Sequence, residues 1–127
     1  YDRKSKSFRD FVLTRITKIT IQAQMPSPEE DKLEDHQWMR MVPLQIIPHP
    51  NNVKHPTAIK LDFGMEKGML EVNVRAAMAG YLLRRWNVDC SESGSLSGPE
   101  YQLYLQNLQT LYGAENLAIA PGYQLEK

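Results

Sequence analysis

The side chains best suited to bind something charged are gathered at the start of the chain. Arg3, Lys4, Lys6, Arg9, Arg15 and Lys18 fall within the first 18 residues, where the only acids are Asp2 and Asp10. A guanidinium is a rigid planar fork that grips a phosphate through two parallel hydrogen bonds. Phe8 and Phe11 flank Arg9 and Asp10 and offer faces on which bases could stack. A plainer role fits the same residues: the solvated face of a strand, with charges at a hairpin tip. On the residues alone that plainer role is favoured.

Elsewhere no set of residues converges on catalysis. The sequence holds no GxSxG elbow, no glycine-rich phosphate loop and no HExxH. His49 and His55 flank a Pro/Asn loop, and His36 stands apart. Without a cysteine or carboxylate at ligand spacing nearby, they predict loop histidines that are solvated or cap backbone groups, not a metal site. Cys90 has no base close in sequence and reads as a small, partly buried side chain. Asp62 and Glu66, four apart, fit a solvated helix face.

The elements that must carry these residues follow from hydrophobic spacing. Residues 1–24 read as a hairpin. Phe11, Leu13, Arg15, Ile19 and Ile21 share one parity and Val12 and Ile16 the other, so the strand needs a bend or bulge. Residues 25–37 read as a linker, with Ser27, Pro28 and Glu30 suited to a short helix start. Residues 38–127 read as one α+β domain. Trp38, Val42, Leu44 and Ile46 alternate as a strand, and Pro43 places it at an edge or a bulge. Ile59, Leu61 and Phe63 also alternate, yet Pro56 suits a first helical turn and Gly64 a left-handed C′ position, which favours a short helix over residues 55–63. Leu70, Val72 and Val74 predict a strand over 69–75.

Residues 76–86 predict the strongest helix, with stripes at Ala77, Tyr81 and Arg84 and at Met78, Leu82 and Trp86. Gly80 inside it points to close packing. Residues 91–99 predict a flexible loop. Tyr101, Leu103 and Leu105 open a strand or a helix that Gly113 ends, and Leu117 and Ile119 suggest a last short strand before a Pro121-Gly122 turn. No internal repeat is visible.

Composition narrows the function classes. The 127 residues fit one ordinary domain, or one small domain plus part of another. Basic and acidic residues number 15 each, a balance unlike the basic excess of a self-sufficient DNA-binding domain. One cysteine excludes an intramolecular disulfide. No apolar run approaches the roughly 20 residues that span a bilayer. A cytoplasmic location is expected, with no membrane partner and no cofactor.

The segment Tyr1…Phe8-Arg9-Asp10-Phe11-Val12-Leu13-Thr14-Arg15-Ile16 resembles the closing strands of WYL domains, which typically end in an aromatic, a polar turn and F-R-x-F-x-L-x-R-I. Pro48-His49-Pro50, Asp62-Phe63-Gly64-Met65, Val74-Arg75-Ala76-Ala77, Tyr81-Leu82-Leu83-Arg84-Arg85 and Gln102-Leu103-Tyr104-Leu105-Gln106-Asn107 look like the C-terminal extension of WYL-type transcriptional regulators. They are similar in particular to the regulators found beside phage-defence islands. The resemblance implies a ferredoxin-like extension domain over 38–127, preceded by a β-hairpin from an incomplete Sm-like barrel over 1–24. It implies a regulatory module of a bacterial regulator, sensing a ligand and forming a homodimer, whose winged helix that reads DNA lies outside this sequence. It implies a nucleotide or nucleic-acid ligand held by Arg9 and Arg15, with Asp10 as an orienting partner. An interaction domain without a ligand site stays open as the alternative, and an enzyme is not expected.

Overall fold

The computed structural model describes residues 1–125; Glu126 and Lys127, the last two residues of the expected 38–127 domain, lie outside the described residues. Its centre is a strand, β1 (Met41–Pro48), whose alternation decides the fold. Val42, Leu44 and Ile46 are fully buried on one face, while Met41 and Pro43 remain exposed on the other. Burying each such side chain contributes roughly 1.5–3 kcal/mol, which makes this face the nucleus of the core. Trp38 does not extend the strand as its parity suggested. Asp35 accepts the Trp38 N–H at 3.1 Å and caps a single helical turn, α1 (His36–Met39).

Among the described residues the chain forms one four-stranded mixed sheet in the order β2-β1-β4-β3. β2 (Leu70–Arg75) runs antiparallel to β1, from Met41 opposite Arg75 to Ile46 opposite Leu70. β4 (Leu103–Leu105) is antiparallel on the other side of β1, and β3 (Val88–Asp89) is parallel to β4. β1 is thus an interior strand, yet Pro43 sits where β4 has already ended. There Asn107 stands in for a strand: its amide donates to the Pro43 carbonyl at 2.8 Å and accepts the Gln45 N–H at 2.9 Å. The N–H that proline lacks faces this local edge, so the ladder loses nothing.

Two helices complete the core. α2 (Pro56–Asp62) starts with proline in its first turn and ends ahead of Gly64, whose φ of +64° supplies the left-handed C′ residue. α3 (Ala76–Arg85) buries Ala76, Ala77, Ala79, Gly80 and Leu83. The buried stripe is therefore the small-residue face: of the expected stripes Ala77 is buried and Leu82 half-buried against the core, while Tyr81, Arg84, Met78 and Trp86 lie exposed. Small residues win because the helix lies close to the C-terminal segment: a Cβ on Gly80 would collide with the Asn116 carbonyl. Leu117 and Ile119 form a 3-10 turn, not a strand, and Leu108–Leu111 form another before Gly113 at φ +77°. Arg40 ties this region to β1, donating to the carbonyls of Thr110 at 2.9 Å and Tyr112 at 2.8 Å.

The N-terminal hairpin is not formed. In residues 1–24 the only pairing among the described residues is one antiparallel bridge, Asp2 with Ser7, and the sole regular element is a 3-10 turn at Leu13–Arg15. Phe11, Leu13, Ile19 and Ile21 are all exposed, with Ile21 at 95%. Apolar alternation can be satisfied only by a partner strand, and among the described residues no strand lies beside it. Pro28–Glu30 and Lys32–Glu34 form short 3-10 turns in the expected linker.

Candidate functional site

The three residues singled out at the N-terminus do not converge on one point. Arg9 donates to the Asp2 carboxylate at 3.3 Å, and with a side chain 59% exposed that pair is screened by solvent. The Ser5 hydroxyl and the Lys4 N–H, with Arg9 contributing less, hold the Asp2 carboxyl below its usual range. Asp10 turns the other way and anchors the arm to the domain. Its carboxylate accepts the Asn116 amide at 2.9 Å and the Tyr81 hydroxyl at 3.3 Å. Burial, then the Asp10 charge, raises the Tyr81 phenol above its ordinary value. Arg15 lies on the exposed 3-10 turn, with no side-chain partner among the described residues. A second tether joins Arg3 to Glu30 at 2.9 Å. The arm is therefore pinned near both ends, and its apolar middle stands clear of the domain.

The buried polar pair of the domain is one the sequence did not announce. His49 and Asp89, 40 residues apart, are both fully buried, with Nε2 and Oδ2 2.9 Å apart. The ring's other nitrogen, Nδ1, accepts the N–H groups of Asn51 and Asn52, each at 3.1 Å. Two donors on Nδ1 fix the ring proton on Nε2, which donates to the carboxylate. Asp89 also accepts the Ser91 N–H at 2.8 Å and the Leu96 N–H at 3.2 Å. Burial pushes this carboxyl up, but the bonds from Ser91, His49 and Leu96 outweigh burial and hold it below the usual range. Asn52 adds bonds to the carbonyls of Leu96 and Tyr101, and Asn51 to that of Gly94. The loop expected to be flexible over 91–99 is thus stitched to the end of β1. His49 does cap backbone groups, as expected, but it is buried, not solvated; the local signal was the two N–H groups following it, and nothing near His49 pointed to Asp89.

Cys90 lies under the same loop. Burial and the neighbouring Asp89 charge push its thiol up to about 12, so it stays protonated and unreactive near neutral pH. It borders an open depression of about 580 Å³ together with Glu92, Leu108, Gln109, Tyr112 and Tyr123, which contains none of the N-terminal basic residues. Among the described residues no cluster of His, Cys, Asp and Glu is arranged to hold a metal ion. No described helix is long and apolar enough to cross a membrane.

Comparison with known proteins places this architecture. The chain is 37% identical over 110 residues to a DNA-binding transcriptional repressor CapW of Pseudomonas aeruginosa, a match spanning 84% of this chain and 35% of the relative. It is 30% identical over 83 residues to a repressor of the same name from Stenotrophomonas maltophilia, spanning 65% of this chain and 27% of the relative. The chain thus spans about a third, or less, of the length of the curated relatives it matches. The family model for the BrxR transcriptional regulator, C-terminal dimerization domain, matches residues 41–111. That stretch runs from the first residue of β1 to the end of the 3-10 turn behind β4, so it takes in the whole sheet and both core helices. With more than half of its residues under that model, the chain belongs to the family of BrxR-type C-terminal dimerization domains.

Proposed function

We propose that this chain is the dimerisation and regulatory part of a bacterial DNA-binding transcriptional regulator. One observation carries the reading: the dimerization-domain match covers the entire folded sheet and not a peripheral segment. In this reading residues 1–24 are the closing part of an Sm-like WYL domain, 25–37 the linker, and 38–127 a ferredoxin-like extension domain. DNA is contacted by a winged helix elsewhere in the regulator, in the cytoplasm, in keeping with the resemblance to regulators found beside phage-defence islands and with relatives described as DNA-binding transcriptional repressors. Sedimentation over a range of concentrations tests the core of it. The expected outcome is a reversible dimer; a monomer at every concentration overturns the reading.

Ligand sensing is the finer part. Arg9 and Arg15 would grip an anionic nucleotide or nucleic acid, and Asp10 would orient the arm that carries them. The exposed Arg9–Asp2 pair supports this, because a screened pair exchanges readily for a phosphate. Charge-assisted hydrogen bonds contribute roughly 1.5–3 kcal/mol, so Arg9→Ala should weaken binding of a short oligonucleotide to the full-length regulator about tenfold or more. Arg9→Lys should rescue only in part, since it lacks the fork. Binding by wild type should weaken as salt rises. Unchanged affinity for Arg9→Ala across the salt series removes Arg9 from the site. The alternative, an interaction module without a ligand, is favoured by the exposed apolar run from Phe11 to Ile21. It predicts that neither Arg9→Ala nor Arg15→Ala changes any anion affinity.

A further inference from the structure

β2 is an edge strand with an unused side. On β1, the Gln45 carbonyl and N–H are taken by Gln106 and Asn107 on the β4 side. In an antiparallel ladder the two groups of one residue point the same way and successive residues alternate. Val42, Leu44 and Ile46 therefore direct theirs toward Val74, Val72 and Leu70. It follows that Glu71, Asn73 and Arg75 direct their backbone groups away from the sheet, and among the described residues nothing meets those of Glu71 and Asn73.

Edge strands in monomers are blunted by proline, a bulge, short length or inward charges. β2 has six residues, no proline and an unbroken register with β1. On the helix face Leu70 and Val72 are only half-buried, although their partners Ile46 and Leu44 are fully buried. Met78, on the outer flank of α3, is exposed. On the opposite face Glu71 and Arg75 carry one charge of each sign, spaced equally about Asn73; the Arg75 guanidinium stacks on the Trp38 ring at 4.4 Å and gives one of its five N–H groups to the Trp38 carbonyl.

We propose that β2 pairs antiparallel with β2 of a second copy about a two-fold axis at Asn73, joining the two sheets into one. The proposal rests on the dimerisation reading and names the surface that performs it. In this register Glu71 lies directly opposite the partner's Arg75, and the reciprocal contact repeats across the axis, as a two-fold interface requires. Val72 lies opposite the partner's Val74 and gains cover on the helix face. Centring the axis on Glu71 instead would set like charges face to face, which is destabilising. A register between the two places Glu71 opposite asparagine and gains no ion pair. Only the Asn73-centred pairing satisfies the outward backbone groups and both charges together.

Cross-linking decides it. Directly opposed residues that exchange backbone hydrogen bonds have Cα atoms about 5.5 Å apart, inside the range of about 4.4–6.8 Å that a disulfide spans. Asn73→Cys should give a covalent dimer under mild oxidation, whereas Ser93→Cys, exposed just beyond β3 at the opposite edge of the sheet, should not. Native Cys90 is buried and does not compete. Asn73→Pro removes an outward N–H and leaves the ladder to β1 intact, so it should give a folded chain, by circular dichroism, with dimer affinity reduced at least tenfold. A wild-type dimer that Asn73→Cys fails to cross-link, or that Asn73→Pro leaves unchanged, overturns the edge pairing while the dimerisation reading stands. A wild-type chain that is monomeric at every concentration overturns both.

Discussion

Asp89 shows how one carboxylate can organise two loops. Its oxygens serve only as acceptors: Oδ1 for the Ser91 N–H, Oδ2 for the His49 ring and the Leu96 N–H. Asp89→Asn keeps the shape but introduces an NH2. In either amide orientation that group faces a donor, Ser91 on one side or His49 on the other. The ring cannot relieve the clash by shifting its proton, since Nδ1 is held by Asn51 and Asn52. A hydrogen bond to a charged group contributes roughly 1.5–3 kcal/mol and a buried donor left without its acceptor costs about 1–3 kcal/mol, so urea denaturation should show a loss of about 2 kcal/mol or more. A loss below about 1 kcal/mol, the size of an ordinary surface change, would contradict the network as described.

The same carboxylate sets an acid limit on stability. Its folded pKa lies below the unfolded value of about 3.9. A depressed carboxyl contributes stability that is present above the unfolded pKa and is lost as pH falls through the folded one. Wild type should therefore lose more stability than Asp89→Asn between about pH 5 and pH 2, measured by urea midpoints, and the two curves should converge toward the acid end. Parallel curves would show that Asp89 titrates alike in the folded and unfolded chains. Little of this was legible beforehand: an Asx pair after a histidine is visible in a sequence, but a partner 40 residues away has no local signature.

At the scale of elements, legibility tracked how much of each element's partner lay nearby in sequence. β2 and α3 were readable because alternation and helix-forming residues act locally, and α2 because proline and glycine mark its ends. Of the face that α3 buries, only Ala77 and the close packing at Gly80 were readable. Large side chains usually define a stripe, but here the backbone of the Asn116 region lies against Gly80 and admits only small residues. Gly80→Ala tests that contact. Alanine is the better helix former by about 1 kcal/mol, so on an open helix the change would stabilise. Here the added methyl meets backbone, which cannot swing aside, and overpacking of this kind costs about 1–3 kcal/mol. Thermal unfolding should show a net drop in Tm; an increase would mean that the helix and the C-terminal segment lie further apart than described. The residues 8–21 failed as a strand for the converse reason, since alternation specifies a face but supplies no neighbour to cover it.

For the whole molecule, stability is divided between a sheet domain and an arm that shares little of it. β1 amides are held by ladders on one or both sides, above a face of fully buried Val42, Leu44 and Ile46. Between Phe11 and Met25 the backbone hydrogen bonds among the described residues are those of the 3-10 turn, Arg15 to Val12 and Ile16 to Leu13. The arm's tethers are side-chain contacts at Asp10 and Glu30, and contacts of this exposed kind contribute about 1 kcal/mol or less each. Local opening of the arm therefore needs no opening of the sheet, and hydrogen exchange should separate the two. Amides from Thr17 to Met25 should exchange at close to unstructured rates, while those of Val42, Leu44 and Ile46 should exchange only with global unfolding and slow in parallel with measured stability. Asp10→Ala, which removes the acceptor of the Asn116 amide and the Tyr81 hydroxyl, should speed exchange around residue 10 without moving the protection of β1. If protection of β1 falls with that substitution, the arm and the sheet open as one unit and the division is wrong.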